Sequence, residues 1–273
     1  MNRLLIAAVA AATVVSANAY AAPSAKFAAV WNENPVVVQA NACAETTNLP
    51  AYCEDGALSS DSAAAREMAT IKIPQSKELL VGVSAQVELF TETLVKGKRG
   101  SYSRAMAFAE GNVALVACSD DACYRSKPGG VVLSSRQQEL SAVLAGIIES
   151  CTFDPTPNSA GDISFDLSDC QVADEEIKLA LTTMAAHHYN FVFPNLPQGE
   201  YKVIARFMTR ARAEAEANCP VDESGALVNP YCLDGDGSAG AKATAIIGKT
   251  MVTIQEVRAV NGTLGDPEPV IID

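Results

Sequence analysis

Residues 79–95 read LLVGVSAQVELFTETLV, and their odd positions decide the fold. Leu79, Val81, Val83, Ala85, Val87, Leu89, Thr91, Thr93 and Val95 are apolar or small, while Gly82, Ser84, Gln86, Glu88 and Glu92 occupy even positions. Alternation with period two is the mark of a strand with one face buried. The run exceeds the usual strand length, so a bend or bulge is expected near Gly82 or Phe90. Lys96-Gly97-Lys98-Arg99-Gly100 then makes a basic turn, and Tyr102 to Ala117 returns as a second strand, interrupted at Glu110-Gly111-Asn112.

The same pattern recurs nearer the C-terminus. Tyr189, Phe191 and Phe193 alternate, Pro194 to Gly199 turns the chain, and Tyr201, Val203, Ala205 and Phe207 alternate on the way back. Lys202, Arg206 and Arg210 share the opposite face as a basic stripe, which could bind an anionic group or a partner but better suits edge protection and solubility. A last strand is expected over Thr250 to Val260. These features predict a mainly β protein, an antiparallel β-sandwich with room for one or two short helices and with loops stapled by disulfides. Val81, Val83, Val87, Leu89, Tyr189, Phe191, Phe193, Tyr201, Val203 and Phe207 are its expected core. The Leu196-Pro-x-Gly199-x-Tyr201 turn resembles that of immunoglobulin-type exported modules, over this one hairpin.

Two segments fit either element. Leu140, Val143, Leu144, Ile147 and Ile148 have helical spacing, with Ser135 and Gln138 as a capping box, yet Gly146 weakens a helix. Asp174 to His188 could cap and stripe a helix, but Leu179, Leu181, Thr183 and Ala185 run in phase into Tyr189, which favours one long strand. The expected organisation is a signal peptide over 1–19, an irregular N-terminal arm over 20–68, a β-sandwich domain over 69–262 and a loose tail over 263–273.

The signal reading rests on Arg3, the apolar run Leu4 to Val15, and Ala17-Asn18-Ala19 as a cleavage site. It places the rest of the chain in a secreted or periplasmic setting, where cysteines pair. No later apolar run approaches the roughly 20 residues that span a bilayer. The eight cysteines fall in sequence-near pairs: Cys43 with Cys53, Cys118 with Cys123, Cys151 with Cys170, and Cys219 with Cys232. Each pair brackets a turn-rich stretch, so local bridges are expected among the many connectivities open to eight cysteines. Zinc is the competing reading for Cys118 and Cys123, but no histidine lies near them. The net charge of −12 argues against nucleic acid and anionic lipid as partners.

Few residues suggest chemistry. Gly235 to Gly240 spells G-x-G-x-x-G, but a cysteine-anchored loop precedes it where a dinucleotide site needs a strand. Asp234, Asp236 and Ser238 offer alternate oxygens that could wrap calcium, with Asp222 and Glu223 completing a shell, although Ala239 and Ala245 break the EF-hand pattern. Tyr52-Cys53-Glu54-Asp55-Gly56 echoes Tyr231 to Gly235, which fits two related loops or coincidence at cysteine-anchored turns. His187 and His188 are the only histidines. On a strand they point to opposite faces and cannot share a metal. No nucleophile elbow, zincin or P-loop motif occurs. The expectation is an exported, non-enzymatic binding or structural module with no assigned catalytic residue or cofactor and an unidentified protein or extracellular ligand. The alternatives are a secreted hydrolase with a carboxylate-based site and a calcium-stabilised extracellular domain.

Overall fold

The odd positions of 79–95 do bury one face, and they do so in one unbroken strand, β5 (Lys77–Gly97). The computed structural model describes residues 27–45, 54–55, 57–151, 170–230, 232–233, 235–258 and 265–270. The signal segment, Cys53, Asp234 and Tyr231 lie outside these. The other strands are β1 (Phe27–Asn32), β2 (Val36–Glu45), β3 (Glu54–Asp55), β4 (Ala57–Ile73), β6 (Ser101–Cys118), β7 (Cys123–Arg125) and β8 (Val131–Leu144). They continue with β9 (Ile147–Cys151), β10 (Cys170–Ala173), β11 (Glu175–Leu196), β12 (Gly199–Asn218), β13 (Gly237–Val257) and β14 (Glu268–Val270). No helix occurs among the described residues.

Two six-stranded sheets face each other. The first runs β11-β5-β13-β2-β3, with β1 also on β13; the second runs β14-β7-β6-β12-β4, with β8 also on β6. All pairings are antiparallel except the two-residue contact of β2 with β3. The hairpins expected at 79–117 and 189–207 are instead arches between the sheets. β5 and β11 belong to the first sheet and β6 and β12 to the second. Arg99 at φ 51° and Gly100 at φ 77° turn the chain across the gap at the first arch. At the second, the Tyr201 hydroxyl donates to the Pro197 carbonyl at 3.0 Å.

Several expectations are corrected. Residues 27–45 and 57–68, expected as part of an irregular arm, are strands of both sheets. Residues 136–144 continue β8, and Gly146 at φ 81° ends the segment where a Cβ would meet the Ala173 carbonyl at 2.8 Å. β13 begins at Gly237 rather than Thr250, with a register shift between Ile247 and Thr250. Residues 268–270, expected as loose tail, pair with β7. No break occurs at Gly82 or Phe90; the ladder of β5 with β11 is continuous from Gly97 to Leu79. Tyr189 is 41% exposed, whereas the other nine expected core residues are buried.

The core is graded along the strands. One end holds Ile71, Ile73, Leu79, Leu115, Phe191, Phe193, Tyr201, Phe207 and Ile254. The other end holds Ala42, Ala44, Thr91, Thr93, Ser101, Ala105, Ala213, Ala239 and Ala241. Interiors pack densely, so small side chains bring the sheets closer together. A Cβ on Gly97 would lie 2.2 Å from Ser101 Oγ. Gln138 knits this end: Thr91 Oγ1 donates to its Oε1 at 3.0 Å, and its Nε2 donates to Thr93 Oγ1 at 2.6 Å and the Leu179 carbonyl at 2.7 Å. Ala213→Leu is therefore expected to cost about 1–3 kcal/mol by overpacking. Urea unfolding tests this, and an unchanged stability would mean the sheets part freely here.

Three disulfides pin the ends: Cys118–Cys123 between β6 and β7, Cys151–Cys170 between β9 and β10, and Cys219–Cys232 in the loop before β13. They match the local pairing. Cys43 is also disulfide-bonded, and Cys53, its expected partner, lies outside the described residues.

Candidate binding surfaces

The Cys219–Cys232 loop carries the expected calcium ligands. Both oxygens of the buried Asp236 carboxylate are engaged: Leu233 N–H donates to Oδ2 at 2.9 Å and Arg99 Nη1 to Oδ1 at 3.3 Å. Ser238 lies within β13, opposite Lys96 of β5. Asp222 accepts from the Ser224 hydroxyl at 2.6 Å and from the Ser224 and Ala226 amides, so it shapes its own turn. These bonds, the Ser224 hydroxyl first, hold its carboxyl below the usual range. Among the described residues no three His, Cys, Asp or Glu side chains are grouped to hold a metal ion. Gly237 to Gly240 lie in a strand, so the helix that a dinucleotide phosphate needs is replaced by sheet.

The two histidines do point to opposite faces. His187 turns toward the gap between the sheets, with Nε2 buried and unpartnered. His188 faces outward, with Nδ1 2.9 Å from Ser84 Oγ and Nε2 3.1 Å from Asn190 Oδ1. Gly82 makes room for this ring, since a Cβ there would lie 3.0 Å from His188 Cε1. A hydroxyl, an imidazole and an orienting amide in series have the order of a nucleophile relay. Ser84 also borders a depression of about 380 Å³ lined by Trp31, Lys249 and Met251. What the relay lacks is an oxyanion site. β5 is flanked by β11 on one side and β13 on the other, with a register shift in β13 opposite Gln86, and a pair of amides converging on a developing oxyanion is not formed by the regular ladder around Ser84. Sequence reading missed this trio because Ser84 and His188 are brought together only by register.

The outer face of the second sheet bears the basic stripe. Arg210 lies 3.7 Å from both Asp61 and Glu110. Arg206 and Arg125 border a depression of about 650 Å³ floored by Ala63, Ala65 and Ala114.

Among the described residues, β11 ends its sheet and leaves a long edge without a partner strand. Val192 exchanges both its backbone bonds with Lys127, away from β5. Main-chain groups alternate in direction along an antiparallel ladder. The register with β5 is unbroken down to Glu175, so the even residues from Asn190 back to Glu176 also aim their N–H and C=O outward. No described strand pairs with that side. The run is fixed at both ends. Asp174 meets Lys96 at 3.0 Å and Lys98 at 3.3 Å, and the Gly146 amide donates to Glu175 Oε2 at 3.1 Å. Burial pushes the Asp174 carboxyl up, but the two lysines outweigh it and hold it below the usual range. Between these ends Ile177, Leu179, Leu181, Met184 and Tyr189 are exposed. From Leu179 to Phe193 there is no Lys, Arg, Asp, Glu or Pro, the residues that usually guard an edge. The other long edges do carry charge, with Asp61, Arg66 and Lys72 on β4 and Arg136 and Glu139 on β8.

No family model matches the chain, and no curated protein matches it. Among solved structures, a CocE/NonD family hydrolase from Staphylococcus aureus aligns at 9% identity over 83% of this chain and 37% of its own, with a TM-score of 0.16. A chain of the T13 IBDV viral particle aligns at 10% identity over 98% of this chain and 48% of its own, with a TM-score of 0.15. The InvG secretin domain β-barrel from Salmonella aligns at 9% identity over 70% of this chain and 65% of its own, with a TM-score of 0.11. The chain thus spans less than two thirds of each, and scores this low define no shared fold. No helix among the described residues is long and apolar enough to cross a membrane.

Proposed function

We propose that this is an exported, non-enzymatic binding or structural module, a disulfide-pinned sandwich of immunoglobulin-like style that works through a sheet edge. The free edge of β11 carries the reading. A strand edge that is apolar and without charge from Leu179 to Phe193, and that no described strand pairs, is a template for strand addition. The Tyr201 hydroxyl on the Pro197 carbonyl supports the immunoglobulin-like style, whose tyrosine corner bonds back to the backbone a few residues upstream. Three disulfides support an oxidising compartment. The Ser84–His188–Asn190 trio is the observation that favours a hydrolase instead. A panel of ester and amide substrates separates the two readings. The expected result is no turnover above background. Turnover that Ser84→Ala or His188→Ala abolishes, with folding intact, would overturn the binding reading.

A further inference from the structure

We infer that the partner of the β11 edge is a second copy of this chain, paired antiparallel about a two-fold axis at Thr182. The inference rests on the reading of β11 as a docking edge and names what docks there.

The register follows from direction and charge. Only even residues aim backbone groups outward, so two β11 strands related by a two-fold axis must pair even with even. Centring on Thr182 sets Ala180 against Met184, Lys178 against Ala186 and Glu176 against His188. Odd residues then oppose one another as the non-bonded pairs: Leu181 with Thr183, Leu179 with Ala185, Ile177 with His187, and Glu175 with Tyr189. Directly opposed side chains share a face and interact, and like charges there are unfavourable. In this register each acidic residue at one end of the run meets an imidazole or a phenol at the other. Lys178 keeps its own partner, Glu92, at 3.0 Å. Moving the axis one residue toward Thr183 would set Lys178 against His188. Moving it one residue toward Leu181 would set Glu175 against His187 but Glu176 against Ala186, so that only one of the two glutamates keeps a polar partner. The pairing uses every free backbone group from Glu176 to His188 and covers Leu179, Leu181 and Met184, which the single chain leaves exposed. It ends one outward-aiming residue, Asn190, short of Val192, which Lys127 already holds. A two-fold contact of this kind is self-complementary and closes at the dimer.

The test is sedimentation of the purified protein, disulfides intact, over a concentration series, beside two variants. The parent is expected to sediment at twice the mass of one chain. Thr182→Pro removes an N–H that points away from β5, so the ladder within the chain survives while the facing edge loses its central bonds. It is expected to sediment as one chain, with the circular dichroism of the parent. Should that variant misfold, Thr182→Cys decides. Opposed residues in a bonded antiparallel pair lie about 5.5 Å apart at Cα, within disulfide reach. Mild oxidation is then expected to yield a covalent dimer, whereas Thr183→Cys, which faces Leu181, yields none. A parent that stays at one-chain mass throughout would overturn self-pairing, whatever the hydrolase panel returns. A dimer that Thr182→Cys fails to cross-link would overturn the register and with it this interface. Hydrolase turnover would overturn the binding reading and leave the measured mass as it is.

Discussion

Phe191→Ala is expected to destabilise the protein by about 3–5 kcal/mol. Phe191 is fully buried at the thick end of the core, on the same face of β11 as Phe193. Its ring also packs on Tyr189, with centroids 5.4 Å apart. Truncation removes the transfer free energy of the ring and leaves a cavity. The surrounding Leu, Ile and Phe side chains sit on laddered strands and cannot collapse into it. The same substitution at Tyr189, 41% exposed, is expected to cost markedly less. Chemical denaturation of both variants checks the contrast, and equal losses would mean that the ring at 189 is as buried as the one at 191.

That contrast also shows what the sequence could and could not reveal. Tyr189 is in phase with Phe191, and period two says only which face of a strand turns inward. Whether anything lies beneath depends on the opposite sheet, and β8 meets β11 mainly through Gln138. For the same reason the two clear strand pairs read as hairpins. Each buries one face, and nothing in the alternation states whether the returning strand extends the same sheet or crosses to the other. The N-terminal strands were hidden by a different cause. Ala40, Ala42 and Ala44 of β2 are buried at the thin end of the core, as are the small inward residues of the facing strands. A core built from alanine, serine and threonine has little hydropathy contrast with its own wet face, so of β2 only Val36-Val37-Val38 reads as a possible strand, and β4 looks like a linker or the start of a short helix. The three described disulfides were legible because each joins neighbours in sequence.

Of the site, the sequence carried only the shortage of charge along 179–193. That β11 is an edge strand follows from pairing order, which no local pattern encodes. The Ser84–His188 contact likewise depends on the β5–β11 register, with the two residues directly opposed. Local spacing did bring Asp236 to notice, because oxygens at alternate positions are visible in the sequence. What the spacing could not show was that a residue more than a hundred positions earlier had already claimed its carboxylate.

Arg99→Met is expected to cost about 2–4 kcal/mol, because it strands the Asp236 carboxylate. Asp236 is 5% exposed, and among the described residues its carboxylate oxygens have, besides Arg99, only the Leu233 amide. The backbone of Asp236 is bound into the same turn, its carbonyl accepting from the Lys98 amide at 3.0 Å and from Ser101 Oγ at 3.0 Å. The charge therefore cannot swing out to water without breaking the first arch. Partial exposure of Arg99, at 28% for its side chain, keeps the expected loss below that of a wholly buried pair. Methionine keeps the length of the arginine stem, so the loss reports the missing cation rather than missing bulk. Adding Asp236→Asn in the same background removes the stranded charge while leaving an oxygen for the Leu233 amide, and part of the stability is expected to return. The pair also decides the calcium reading. A ligand that binds the folded state raises its melting temperature by mass action. With Asp236 neutralised by Arg99, neither calcium nor a chelator is expected to move the melting temperature of the parent protein. A clear rise with calcium, lost in Asp236→Asn, would mean that the carboxylate serves a cation in preference to the guanidinium.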